Sequence, residues 1–124
     1  LLCIGETIKE KKAKKTKKIL INQIKKGLRK IKNIKKVIIS YEPVWSIGTD
    51  LVPKNKELLH NIVFIKKFLR KNFKYKNTRV FYGGSVNHNN IKDLNEINQI
   101  DGFLIGGASQ NPNKFIDIIK KTFN

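Results

Sequence analysis

Val37-Ile38-Ile39-Ser40-Tyr41-Glu42-Pro43-Val44-Trp45-Ser46-Ile47-Gly48-Thr49 runs from an apolar, β-branched segment directly into a carboxylate, a proline and a glycine-containing loop. Side chains alternate along an extended strand, so Val37, Ile39 and Tyr41 share one face while Ile38, Ser40 and Glu42 share the other. Glu42 thus ends a row whose preceding member is small. Pro43 holds its own φ and biases Glu42 toward extended geometry. A carboxylate on a rigid strand end is well placed to act as a general base; taken alone, the same residue is an ordinary surface glutamate.

Working outward, three further β-rich runs read as buried strands beside Val37 to Glu42: Leu1 to Ile4, Arg79 to Tyr82 and Gly102 to Ile105. A helical pattern follows each strand. Leu20, Ile24, Leu28 and Ile31 form one apolar stripe, and Leu58, Ile62, Ile65 and Leu69 form a second. Ile91, Leu94 and Ile97 follow Asn87, with His88 at the start of that helix. A last helix opens with Asn111 as N-cap and Pro112 at its first position, then carries Phe115, Ile118 and Ile119. Strands alternating with amphipathic helices form parallel sheets. Two architectures fit this order: a small doubly wound sheet, or part of an eight-stranded barrel of about 250 residues, roughly twice this chain.

The loops after the strands carry the chemistry in either architecture. Tyr82-Gly83-Gly84-Ser85-Val86 and Gly106-Gly107-Ala108-Ser109 each place paired glycines there. Glycines remove side chains where backbone N–H groups need to approach a ligand, and the second pair precedes a helical turn whose start attracts anions. Taken together they read as a phosphate cup.

Composition narrows the function classes. The 124 residues make one domain or part of one, and no apolar run approaches the roughly 20 residues of a membrane span. Cys3 is the only cysteine, which excludes an internal disulfide and points to a reducing, cytoplasmic compartment. The chain has no methionine and opens in mid apolar run, so a piece of a longer protein is expected. The net charge of +18 admits a nucleic-acid module. Against it stands a Lys, Ile and Asn bias along the whole chain, with no helix-turn-helix, zinc finger or aromatic RNA-binding sheet. His60 and His88 have no partners at metal-ligand spacing.

Cys3-Ile4-Gly5-Glu6-Thr7, Tyr41 to Thr49, Tyr82 to Val86 and Asp101 to Ser109 occur in this order. In these stretches the chain resembles the C-terminal half of the triosephosphate isomerase family, matching its fifth- to eighth-strand signatures. The resemblance implies an α/β fold, half of a (β/α) barrel with four parallel βα units, spanning residues 1–124 without an internal boundary. It implies an isomerase of glycolysis and gluconeogenesis that interconverts dihydroxyacetone phosphate and glyceraldehyde 3-phosphate with no cofactor and no metal. Glu42 is then the base that moves a proton through an enediolate; its pairing with a neutral histidine is a known property of that family. Gly48, Ser85, Gly106 and Gly107 are the implied phosphate ligands. Pro43, Val44, Trp45, Ser46, Ile47, Thr49 and Asp50 form the implied lid, whose gating role is likewise family knowledge. Trp45 and Ile47 supply apolar docking surface, Glu6 and Tyr82 support the lid, and Cys3 resembles the family's strand-end cysteine beside the base.

Departures from the pattern carry their own expectations. Asp50 and Lys14 stand where the family usually has glycine, and Gln110 where it usually has leucine. Asp50 adds negative charge near the phosphate and restricts a residue whose N–H meets Ser85, so lid closure is expected to suffer. The family's catalytic lysine, asparagine and histidine come from strands outside this chain, and neither His60 nor His88 replaces that histidine. The partners implied are a phosphorylated triose and a second subunit bound through the other half, with no nucleic acid and no membrane. These residues alone are expected to be inactive and loosely folded or self-associating, with Ile38 and Ser40 facing water. The alternatives are another phosphate-binding barrel enzyme, which lacks the Glu42-Pro43-Val44-Trp45 run, and the basic nucleic-acid module.

Overall fold

The computed structural model describes residues 1–123; Asn124, the last position of the expected domain, lies outside the described residues. Four short strands form one sheet: β1 (Leu2–Ile4), β2 (Ile39–Tyr41), β3 (Val80–Tyr82) and β4 (Gly102–Phe103). All neighbours are parallel, in the order β1-β2-β3-β4. That order separates the two architectures. A doubly wound sheet reverses direction at a switch point, whereas strands that step sideways in chain order build a barrel wall. The α/β fold is therefore that of part of a (β/α) barrel.

The helices are α1 (Ile8–Lys12), α2 (Thr16–Leu28), α3 (Asn55–Phe73), α4 (Ile91–Asn95) and α5 (Pro112–Phe123). The apolar stripes of α2 and α3 pack as their spacing predicts. Leu20, Ile24, Leu28, Leu58, Ile62, Ile65 and Leu69 are buried against Ile4, Ile39, Tyr41, Val80 and Tyr82 from the sheet. Asn111 caps α5 as expected, its Oδ1 accepting from the Lys114 N–H at 3.1 Å. Three expectations fail at helix ends. Ile31 lies beyond α2 and is exposed, Ile119 is exposed although Ile118 beside it is buried, and His88 precedes α4 instead of starting it. A period of 3.6 fixes which residues share a face, but not where the sheet stops covering that face.

Helix α1 was unforeseen, although Thr7-Ile8-Lys9-Glu10 carries its signature. The Glu10 carboxylate accepts from the Thr7 N–H at 2.8 Å, and Thr7 Oγ1 accepts from the Glu10 N–H at 3.3 Å, a reciprocal capping box. These bonds, that from the Thr7 backbone foremost, lower the Glu10 pKa. Lys14 then turns the chain with φ at 56°, in the left-handed region that favours glycine.

Ser40 is fully buried and Ile38 half-buried, so the expectation that both face water fails. The register sets Ser40 directly between Cys3 and Phe81 on the neighbouring strands, and a side chain this small is shielded by its larger neighbours. Its hydroxyl has no hydrogen-bond partner.

Two side-chain clasps fix the strand ends. The Gln23 amide on α2 holds both backbone groups of Gly5, accepting from its N–H and donating to its carbonyl, each at 2.9 Å. Asp101 accepts the Val80 N–H at 2.7 Å and pairs with Lys66 on α3 at 2.7 Å, locking the start of β3 to the helix layer. A Cβ added at Gly5 would overlap the Glu42 carbonyl. Gly5→Ala is therefore expected to destabilise the chain by about 1–3 kcal/mol, read as a lower urea midpoint. An unchanged midpoint would show that this backbone approach is not tight.

Candidate active site

Glu42 follows β2 and is held by its backbone, the N–H donating to the Ile4 carbonyl at 2.7 Å. Its side chain lies over Gly83, where an added Cβ would stand 2.6 Å from Glu42 Cγ and 2.9 Å from Cδ. At Gly84 the same atom would overlap Ser46 Oγ and the Tyr82 hydroxyl. This corrects the purpose of the first glycine pair. Gly83 and Gly84 make room for the protein's own carboxylate and lid serine, and the Gly83 N–H is spent on the Tyr41 carbonyl at 3.1 Å. Glu42 Oε1 is buried without a hydrogen-bond partner.

Cys3 borders the same carboxylate. Desolvation first, then the hydrogen bond and negative charge of Glu42, push its thiol up to about 11, although the residue keeps an exposed face.

The segment after Glu42 is pinned at three places. A 3₁₀ turn spans Val44–Ser46. At its start the Trp45 indole N–H donates to Glu6 at 3.0 Å. Glu6 is fully buried, and its other oxygen accepts from the Tyr41 hydroxyl at 3.1 Å. Asn61 donates in turn to Tyr41 Oη at 2.9 Å. Desolvation, and then the charge of Glu6, raise the Tyr41 pKa far enough to keep it a protonated donor. Lys11 Nζ caps the Trp45 ring 3.9 Å from its centroid while pairing with Glu57 at 2.7 Å.

In mid-segment, buried Ser46 donates to the Leu51 carbonyl and lies 3.2 Å from the Tyr82 hydroxyl. Burial holds that phenol at about 12 against the opposing Ser46 hydrogen bond. Glu6 and Tyr82 thus each touch the segment after Glu42, at Trp45 and Ser46.

At the tip, Gly48 has φ 67° and Asp50 φ 59°. The Asp50 N–H donates to Ser85 Oγ at 3.1 Å, and Ser85 Oγ donates to the Ser46 carbonyl. Asp50 makes this contact from the left-handed region, which aspartate tolerates better than most residues. Thr49 Oγ1 ties the tip to the Trp45 carbonyl at 2.9 Å, Pro43 is buried, and Val44 and Ile47 are exposed. Trp45 therefore docks through its N–H and its ring face, whereas Ile47 leaves its apolar surface open.

A cavity of about 670 Å³ opens beside the tip, and Gly48, Ser85, Gly106 and Gly107 all line it. The loop hydrogen bonds use none of their four N–H groups. A Cβ added at Gly106 or Gly107 would meet nothing within 4 Å, and Gly107 opens a 3₁₀ turn to Gln110. The second glycine pair thus does leave space.

Several lining residues escaped the sequence reading. Ser85 sits at φ 49°, and its carbonyl accepts from Asn90 Nδ2 at 2.8 Å and Asn87 Nδ2 at 3.3 Å. The asparagine-rich run 87–90, a turn signal, was the available clue. Lys114 reaches the same cavity from the first turn of α5, and His88 lines it with Nδ1 buried and unpaired. His60 lines a separate groove on α3. Glu42 is not among the lining residues; it stands next to them, across Gly83. Among the described residues no cluster of three His, Cys, Asp or Glu side chains could hold a metal, and no helix is long and apolar enough to cross a membrane.

The family model for triosephosphate isomerase matches residues 1–122. The chain belongs to the triosephosphate isomerase family. It is 39% identical over 122 residues to the triosephosphate isomerase of Thermodesulfovibrio yellowstonii, covering 97% of this chain and 50% of that protein. The enzymes of Zygosaccharomyces bailii and Saccharomyces cerevisiae are each 42% identical over 124 residues, covering 96% of this chain and 49% of theirs. The chain spans about half the length of the curated relatives it matches.

In this triosephosphate isomerase family member, the thiol beside Glu42 gives a pH-dependent readout. A neighbouring carboxylate disfavours the thiolate, so removing its charge must lower the Cys3 pKa. Alkylation of Cys3 should accelerate with pH toward about 11 in the native chain, and the same rise should come at lower pH in Glu42→Gln. Coincident pH profiles would separate the two side chains.

Proposed function

We propose that this chain is the C-terminal half of a triosephosphate isomerase barrel, with residues 1–124 supplying one wall of a single domain. The observation that carries the reading is one cavity lined by four unspent N–H positions, next to half-buried Glu42 with its Oε1 buried and unpaired. A phosphate monoester is bound well by such N–H groups at a turn start. An unpaired carboxylate oxygen is free to accept a proton.

In this mechanism the phosphate of the triose sits among Gly48, Ser85, Gly106 and Gly107. Glu42 takes a proton from the carbon beside the carbonyl, leaving an enediolate, and returns it to the adjacent carbon. Carbonyl and hydroxyl thereby exchange places without net oxidation. Residues 43–50 cover the intermediate and exclude water, which otherwise favours loss of the phosphate. Glu6 and Tyr82 position that lid through Trp45 and Ser46. Asp50 and Lys114 bring opposite charges to the cavity wall, so the excess negative charge expected from Asp50 has a counter-charge within the same cavity.

The other half of the barrel supplies the family's lysine and histidine, which polarise the substrate carbonyl, and the surface of a homodimer. The cytoplasm is the compartment of such an enzyme, and a triose phosphate is its partner, with no role for nucleic acid or membrane.

In the complete enzyme, Glu42→Gln is expected to lower kcat by about 10²- to 10⁴-fold with KM little changed, because the amide cannot take the proton while the phosphate cup is intact. Near-normal turnover removes Glu42 from the role. This chain alone is expected to show no turnover, and refolding it with the complementary half is expected to restore activity; turnover by the purified chain overturns the requirement for the other half.

A further inference from the structure

At the opposite end of the strands from the candidate active site, two loops meet around a cavity of about 740 Å³ lined by Lys35, Lys74, Tyr75, Lys76, Asn77 and Arg79. One loop enters β2 and the other joins α3 to β3. Tyr75 staples them. Its ring is buried, and its hydroxyl donates to the Lys35 carbonyl at 2.9 Å with the Val37 carbonyl at 3.2 Å. Thr78 Oγ1 fixes the Tyr75 carbonyl at 2.9 Å, and Lys74 turns out of α3 with φ at 56°. Four cationic residues thereby line one concavity on a backbone fixed by these bonds.

No carboxylate lines that cavity, and none of the four cations belongs to an ion pair among the described residues. Gathering unpaired like charges raises the local potential and concentrates anions. Arg79 offers a planar fork for bidentate contact with phosphate oxygens, and the three lysines act as mobile point charges around it. The one aromatic ring present is buried with its hydroxyl engaged, which leaves no face for a base to stack on. The volume falls within the range of about 300–1,000 Å³ usual for small-ligand sites.

We propose that this cavity is a second, separate anion site that takes a compact ligand carrying adjacent phosphates, such as a triphosphate, and reads its phosphates and not its base. It shares no lining residue with the candidate active site.

Calorimetric titration of the complete enzyme, its active site filled with an unreactive triose phosphate analogue, against inorganic tripolyphosphate tests the site. Saturable binding is expected, and the triple variant Lys35→Gln, Lys76→Gln, Arg79→Gln should weaken it roughly tenfold or more. A control of equal charge change at the other end of the strands, Lys9→Gln and Lys12→Gln on α1 with Lys18→Gln at the start of α2, should alter it by less than about twofold, because charges beyond a screening length contribute little at physiological salt. Adenosine triphosphate and guanosine triphosphate should bind alike. Equal losses in the two triple variants would show diffuse charge in place of a site. No binding to the native enzyme, or tight binding of a single-stranded oligonucleotide with none of tripolyphosphate, would also overturn the proposal.

Discussion

Burial of the Glu6 carboxylate is the constraint around which the strand ends and the lid segment are arranged. A fully buried carboxylate is tolerated only when hydrogen bonds replace its water. Here neutral donors do so, the Tyr41 hydroxyl and the Trp45 indole, with Asn61 completing the Tyr41 contact from α3. Because Tyr41 ends β2 and Trp45 begins the lid, satisfying one carboxylate fixes the end of a strand, a helix face and the first turn of the loop together. Withdrawing either donor leaves a buried carboxyl oxygen short of a hydrogen bond, so the contact ties half-buried Trp45 to the strand end although it belongs to a loop.

The glycines divide into two physical roles. Gly5, Gly83 and Gly84 lie where the protein's own atoms already fill the space a Cβ would need, so they permit close packing around Glu42 and Ser46. Gly106 and Gly107 face open space, and their N–H groups are unspent. Ser85 takes a left-handed conformation without being a glycine because two asparagine amides hold its carbonyl. Its hydroxyl is then free to link the lid tip to the strand end.

Charge is distributed by position more than by amount. The excess of lysine mostly coats helix faces, yet the two ends of the sheet differ. The cavity at the carboxyl ends of the strands mixes Asp50 with Lys114, while the cavity at the amino ends gathers Lys35, Lys74, Lys76 and Arg79 without a carboxylate. A net charge alone does not distinguish these arrangements, because loop geometry decides which side chains converge.

Local regularities determined most of the fold. Alternating β-rich runs and apolar stripes at helical spacing dictated four βα units, and Asn111-Pro112 dictated where α5 begins, since each rule concerns neighbours along the chain. Glu42 at a strand end and the glycine pairs after two strands were legible as candidates, because loops after parallel strands converge on one face, whereas Gly48 came from the resemblance alone. Periodicity left two architectures open; the strand order decided between them for the barrel wall that the resemblance implied. Tertiary structure also decided that Gly83 and Gly84 make room for the protein's own side chains, that the Asp50 N–H reaches Ser85, and that Ser40 is shielded between Cys3 and Phe81. Gln23, Asn61 and Lys114 were not legible for the same reason: each meets groups brought near only by strand register and helix packing, whereas Asn87 and Asn90 act locally and left a turn signal.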